Sequence, residues 1–251
     1  MGTLYRKHNY TNKNIEIIRD VKIREYDIKS AGLNILYNKE YVDEEEYNML
    51  MSLPKLERNV IIGKWLRDNP EVNKVMMDEF VRIRQIFFEL NEIDDDEILA
   101  IKKDAIFIVD RELKNLKFEN YEFTCREEFT DYIFMDKKEY YYNKYTDTLE
   151  VKGFPKEVKE FQQDYFFKLI RNLLKLGKNK KDIFRTLIEF KTDFLDRNLP
   201  KQYYKSVATN LYPFKLGSIV RYSDDIPDEL LPEVDISANI NYLNNIISLF
   251  I

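Results

Sequence analysis

Glu97-Ile98-Leu99-Ala100-Ile101-Lys102-Lys103-Asp104-Ala105-Ile106-Phe107-Ile108-Val109 is two apolar runs joined by a charged corner. Ile98–Ile101 and Ala105–Val109 have the β-branched and aromatic content that strands favour, so the stretch predicts a tight hairpin. The corner sets one carboxylate, Asp104, at the tip with apolar residues on both sides. A polar tip is ordinary, because tips face water. Its meaning depends on what else the chain brings to it.

Working outward, Val21-Lys22-Ile23-Arg24-Glu25-Tyr26 alternates as a strand and runs into Asp27, after which a turn leads into a helix. A helical pattern covers about 43 to 68, broken by Pro54. Glu71 to Leu90 has Val75, Met76, Phe80, Ile83, Phe87 and Leu90 at helical spacing. An aromatic, β-like stretch follows from Phe118 to Tyr145, then a strand from Thr148 to Phe154 closed near Gly153. Pro155 opens a helical region to about Asn198, and Tyr242–Phe250 is expected to be a closing helix or strand. The expected class is α+β, an antiparallel sheet with helices, followed by a mainly helical second domain. The join is expected near residue 154, giving domains 1–154 and 155–251.

Composition narrows the chemistry. The 251 residues are 44% hydrophobic and 34% charged, a globular profile. No apolar run approaches the roughly 20 residues of a membrane span, so no membrane partner is expected. The polar N-terminus has no apolar signal core, so the expected location is the cytoplasm. One histidine, His8, and one cysteine, Cys125, argue against His/Cys zinc sites, histidine-based catalysis and an internal disulfide. Any catalysis rests on carboxylates, lysines or tyrosines. The net charge is -5, yet Lys168, Arg171, Lys175, Lys178, Lys180, Lys181 and Arg185 form a basic stretch able to track phosphates.

Asp27 closes one strand and Asp104 tips another. A sheet pairing those strands would bring two carboxylates together, and a divalent cation is the usual resolution of that repulsion. Magnesium suits such a site, because it takes oxygen ligands and keeps several waters. Two such ions would clamp the attacking and leaving oxygens of a phosphoryl displacement.

In this setting the chain resembles a much reduced family B DNA polymerase, over residues 21 to about 200. Asp27-Ile28-Lys29-Ser30-Ala31-Gly32-Leu33-Asn34-Ile35-Leu36 is similar to the first palm motif, D-x-x-S-L-Y-P-S-I. Lys55-Leu56-Glu57-Arg58-Asn59-Val60-Ile61-Ile62-Gly63 has the spacing of the fingers motif K-x-x-x-N-S-x-Y-G. Ala100–Phe107 lines up with Y-G-D-T-D-S-V-F, Asp104 falling on its second aspartate. Phe134–Tyr140 resembles the K-K-x-Y motif, and Leu149–Phe154 the K-G strand before the thumb.

The resemblance implies a palm with a short fingers insertion at about 37–92 and a thumb-like helical domain. It implies Asp27 and Asp104 as catalytic metal ligands for Mg2+ or Mn2+, with nucleoside triphosphates held by Lys55, Arg58 and Asn59 beside Gly32. It implies Lys138, Tyr140 and Lys152 on the primer of a primer-template, without a proofreading exonuclease, and a replication protein as a further partner. Three departures stand out: Lys102 replaces the other hairpin aspartate, Gly32 replaces the tyrosine that blocks a ribose 2′-hydroxyl, and Val60 and Ile62 replace the fingers serine and tyrosine. The second departure implies tolerance of ribonucleotides. The reduced motifs point to a phage or mobile-element source.

Other readings stay open. The chain is a catalytically inactive palm-like scaffolding module, or one subunit of a split polymerase. A nuclease ranks last, because the D-I-E-T-x-G-L pattern needs a carboxylate where Lys29 stands.

Overall fold

The computed structural model describes residues 2–135, 137–153, 166–196, 198 and 246–250. The chain divides into two compact units, 1–13 with 22–128, and 14–21 with 129–251. The later boundary therefore falls at 128/129, whereas the order of elements, mixed α+β and then helices, suggests a join near 154. The physical reason is that strands between 129 and 152 share a core with the later helices.

The first unit begins with a 3-10 turn, Leu4–Arg6, and the short strand β1, Asn9–Thr11. Strand β2, Ile17–Ile28, is longer than the alternation alone indicated and contains Asp27. Four helices follow: α1 Ala31–Asn38, α2 Glu44–Ser52, α3 Lys55–Asp68 and α4 Pro70–Asn91. A capping box starts α2, in which Asp43 accepts from Glu46 N and Glu46 accepts from Asp43 N. Pro54 separates α2 from α3, and Pro70 occupies the first turn of α4, where no N–H is missed. The hairpin forms as β3, Ile98–Lys102, and β4, Ala105–Val109, and is followed by β5, Lys117–Phe118, and β6, Tyr121–Met135.

The strand order in this unit is β1-β3-β4-β2-β6, with β5 on β6. β1 with β3, β3 with β4, β4 with β2, and β5 with β6 are antiparallel. Lys29 N donates to Glu122 O and Thr124 Oγ1 to Asp27 O, so β6 also runs against β2. Tyr26, Ile101 and Ile106 lie in one cross-strand row and are buried with Met76, Phe80, Ile83 and Phe87 of α4. Phe87 stacks on Phe123 of β6 at 3.7 Å between ring centres. Buried Glu79 of α4 accepts from Arg82, Lys39 and Tyr121, fixing α4 to the end of α1 and to β6. Because side chains alternate along a strand, the row Lys102–Ala105–Asp27 lies on the face opposite this core.

In the second unit, residues 17–21 of β2 and 129–135 of β6 join β7, Lys138–Asn143, and β8, Thr148–Lys152, in the order β2-β6-β7-β8. Phe134 N donates to Glu16 O, so β2 and β6 are antiparallel here too. Helices α5, Phe166–Lys175, and α6, Lys180–Leu195, pack with Ile133, Tyr140, Tyr142 and Val151 in a common core, together with Ile246 and Phe250 from a helical turn at 246–250. The expected start of the helical region at Pro155 and most of the chain beyond Asn198 lie outside the described residues.

Candidate functional site

The hairpin turn is two residues, Lys103 and Asp104, between the paired Lys102 and Ala105. Lys103 adopts a left-handed conformation, φ 57°, and its amide donates to His8 O at 2.7 Å. On β2, Asp27 pairs with Ala105, the residue just after the turn. Register alone therefore sets Asp27 next to the strand end that carries Asp104. The electrostatics agree. Partial burial raises the Asp27 carboxyl from its ordinary value of 3.8 to about 6, and the Asp104 charge adds to the rise. Lys55 and Arg126 pull the other way, and Glu25, two residues back on the same strand face, opposes them. Asp27 on β2 and Asp104 in the hairpin turn thus lie at the same end of the β2–β4 pair, and Lys55 shares the cleft with Asp27.

Beside Asp27 opens a cleft of about 510 Å³, lined by Tyr47, Lys55, Arg58, Thr124 and Arg126 among others. That volume lies within the range of roughly 300–1,000 Å³ typical of small-ligand sites. Arg58 is only 9% exposed, and its guanidinium donates to the thioether of Met51 at 3.3 Å, a weak acceptor. Tyr47 donates to Asn34 Oδ1 at 2.8 Å, and Asn34 Nδ2 in turn donates to Lys29 O, which holds α2 over the start of α1. Arg126 reaches Glu25 at 3.7 Å. The cleft thus combines guanidinium and ammonium groups with two carboxylates, Asp27 and Glu122, the latter paired with Lys29 at 2.9 Å.

The expected residues divide. Asp27, Lys55 and Arg58 line one cleft, whereas Asp104 is not among its lining residues and stands in the hairpin turn next to Ala105, the strand partner of Asp27. Asn59 is exposed on α3 and does not line the cleft. Gly32 also stays out of it: a Cβ there would meet Met76 Sδ at 3.8 Å and Ile62 Cγ2 at 3.9 Å. The missing tyrosine side chain at position 32 therefore faces α3 and α4 instead of opening the cleft, which corrects the expectation built on it. Lys102 shares the cross-strand row of Asp27, and its ammonium donates to Thr11 Oγ1 of β1 at 2.8 Å.

In the second unit, Tyr140 is fully buried, its ring edge-on to Phe167 at 6.1 Å. It stands in the core, not on a surface able to meet a primer, and the expectation of a primer contact is corrected accordingly. Lys138 begins β7, half-buried, opposite Met135. Lys152 lies 3.4 Å from Glu150 and over the Tyr141 ring.

Sequence reasoning missed Glu25, Tyr47 and Arg126. Glu25 was findable, since residues two apart on a strand share a face. Tyr47 and Arg126 reach the cleft through helix packing and strand pairing, which no local pattern announces.

Among the described residues, no group of three or more His, Cys, Asp or Glu is placed to hold a metal ion. The available donor set is a carboxylate pair. Such a pair fits magnesium, which is commonly bound by one or two carboxylates with water and substrate phosphates completing its shell.

These features define a class: an α+β protein with an antiparallel sheet, whose first unit packs α4 against one sheet face and holds a cleft lined by Asp27, Lys55, Arg58 and Arg126. The chain belongs to the family described as Bacteriophage PBS1 gene 130 protein, whose model matches residues 1–251. No curated protein matches it. No helix among the described residues is long and apolar enough to cross a membrane.

Proposed function

We propose that the chain is a metal-dependent nucleotidyltransferase that extends a nucleic-acid primer in the host cytoplasm, as a minimal relative of the family B polymerases. The observation that carries this reading is the juxtaposition of Asp27 and Asp104 at one end of the β2–β4 pair, with Lys55 in the cleft that Asp27 lines. Asp27 and Asp104 would hold Mg2+ or Mn2+, which supplies charge neutralisation at a transferring phosphoryl group. Lys55 and Arg58 would bind the triphosphate, their positive charges facing the cleft. Lys138 and Lys152, with the exposed Lys168, Lys178, Lys180 and Lys181, are the remaining candidates for backbone contacts. Tolerance of ribonucleotides no longer follows from Gly32, and sugar preference becomes a quantity to measure.

The test is primer extension by the purified chain with Mg2+ or Mn2+ and dNTPs or NTPs, beside Asp27→Ala and Asp104→Ala. Extension is expected, with each substitution reducing it by at least ~10³-fold, as loss of a metal ligand at the reacting centre demands. A second reading, a palm-like module without catalysis or a subunit needing a partner, draws on Lys102 and the buried Tyr140. Nucleotide binding without extension under any condition favours it.

A further inference from the structure

Arg84 of α4 is fully buried, and none of its three acceptors is a carboxylate. Its Nε donates to Tyr5 O at 2.9 Å, one terminal nitrogen donates to Lys103 O at 2.5 Å, and the other faces His8 Nδ1 at 3.3 Å. The guanidinium thus grips the carbonyl immediately before Asp104. A buried charge is normally paired, because removing it from water costs several kcal/mol. The bond to the Lys103 carbonyl sets it one residue from Asp104, whose charge favours the guanidinium against the downward pull of burial. Tyr5 and Lys103 carbonyls would be satisfied equally well by a neutral donor, so hydrogen bonding alone does not account for a full positive charge at this place.

We propose that Arg84 is the electrostatic counterweight of the acidic pair. Its charge beneath the Lys103–Asp104 turn acts on Asp104 and through it keeps the pair from holding a divalent cation tightly by itself. The cation then enters with a ligand that brings further negative charge, as a triphosphate does. The inference rests on the metal-binding reading of that pair and adds a control on when the site fills. Arg84 is a positioning residue in this scheme, since it acts on the cation through Asp104 and touches no substrate.

The experiment is Mn2+ titration followed by electron paramagnetic resonance, with no nucleotide present. The chains compared are the natural one, Arg84→Met, Arg84→Lys and the double variant Asp27→Asn/Asp104→Asn. Removing one positive charge should tighten Mn2+ binding about tenfold, which is about 1.4 kcal/mol. Arg84→Lys keeps the charge and should bind as the natural chain does. A purely structural role predicts the reverse pattern, weaker binding in both, and that result overturns the proposal.

Arg84→Met leaves two carbonyls without their donor and can fail to fold. His8→Glu covers that case, because it sets a carboxylate beside the guanidinium at a half-exposed position and neutralises it in place. It should also tighten Mn2+ binding, while His8→Gln should not. Unchanged affinity in His8→Glu removes the counterweight. If the double asparagine variant binds Mn2+ as well as the natural chain, the metal-binding reading itself falls.

Discussion

Strand β2 carries acids with opposite fates: Asp20 of the second unit is matched by a base, whereas Asp27 of the first is pushed up by burial and a second acid. In the second unit, Arg19 of β2 meets Asp131 of β6 at 2.9 Å, with both side chains largely buried. Arg19 also donates to the carbonyls of Leu174 and Gly177 at the end of α5. Nearby acids are likewise matched. A hydrogen bond from Lys144 holds the Asp20 carboxyl below its ordinary range, and Lys175 does the same for Asp147. In the first unit, Asp27 goes the other way, raised to about 6 by burial and by a second acid. The first unit also pairs charges across β2 and β6, Arg24 with Glu128 at 2.7 Å and Arg126 with Glu25 at 3.7 Å, but at Asp27 the second acid, Asp104, adds to the effect of burial, an arrangement that a bound cation would relieve.

The contrast can be broken most forcefully at its matched end. Arg19→Met should strand buried Asp131 without its partner and leave the α5 carbonyls uncapped, costing about 3–5 kcal/mol in urea unfolding. A loss under about 1 kcal/mol would show that the pairing contributes little and that the two ends differ less than argued.

Asp27→Asn should act in the opposite direction. An acid whose pKa is raised in the folded state has its charged form disfavoured there. Below about pH 4 the carboxyl is protonated in both states and costs nothing. Through pH 4 to 6 the unfolded chain ionises first, so stability falls, and above about 6 the full penalty remains. The asparagine variant should therefore match the natural chain near pH 3.5. It should exceed it by about 1–2 kcal/mol at pH 7.5, a value set below the full shift because Asp27 is partly solvated. Saturating Mg2+ should close that gap by stabilising only the natural chain. A variant that is less stable at pH 7.5 would mean Asp27 is a structural acid.

Much of this frame was legible in the sequence because it is local. The β3–β4 hairpin, the α2–α3 break at Pro54 and the long amphipathic α4 follow from alternation, helical period and breaker residues. Asp27 and Asp104 were also visible as strand-end acids, although only pairing of β2 with β4 sets them at the same end of the sheet. What escaped was set by tertiary packing. Tyr140 sits in a K-K-x-Y-like pattern, yet β7 turns it into the core. Gly32 and Asn59 match motif positions, yet helix rotation points one at α3 and α4 and leaves the other outside the cleft. Arg84 lies within the α4 pattern as one more polar residue, and only the fold shows it beneath the turn.

The finest distinction concerns how the two acids divide the shift at Asp27. Burial is its larger cause and Asp104 the second. Asp104→Asn should therefore lower the Asp27 midpoint below about 6 without returning it to the ordinary value of 3.8, because burial persists. Lys55→Met removes a neighbour that favours the charged form and should raise the midpoint instead. Both are small effects, to be followed site-specifically by carbon-13 NMR of the Asp27 carboxyl across pH. Opposite movements in these two variants would locate Asp27 between a second carboxylate and a lysine, the environment a metal-bound phosphate ligand requires. If Asp104→Asn leaves the midpoint where it was, the carboxylates are not coupled. The basic cleft would then bind anions without a metal, and the contrast between the two ends of β2 would reduce to a difference in burial.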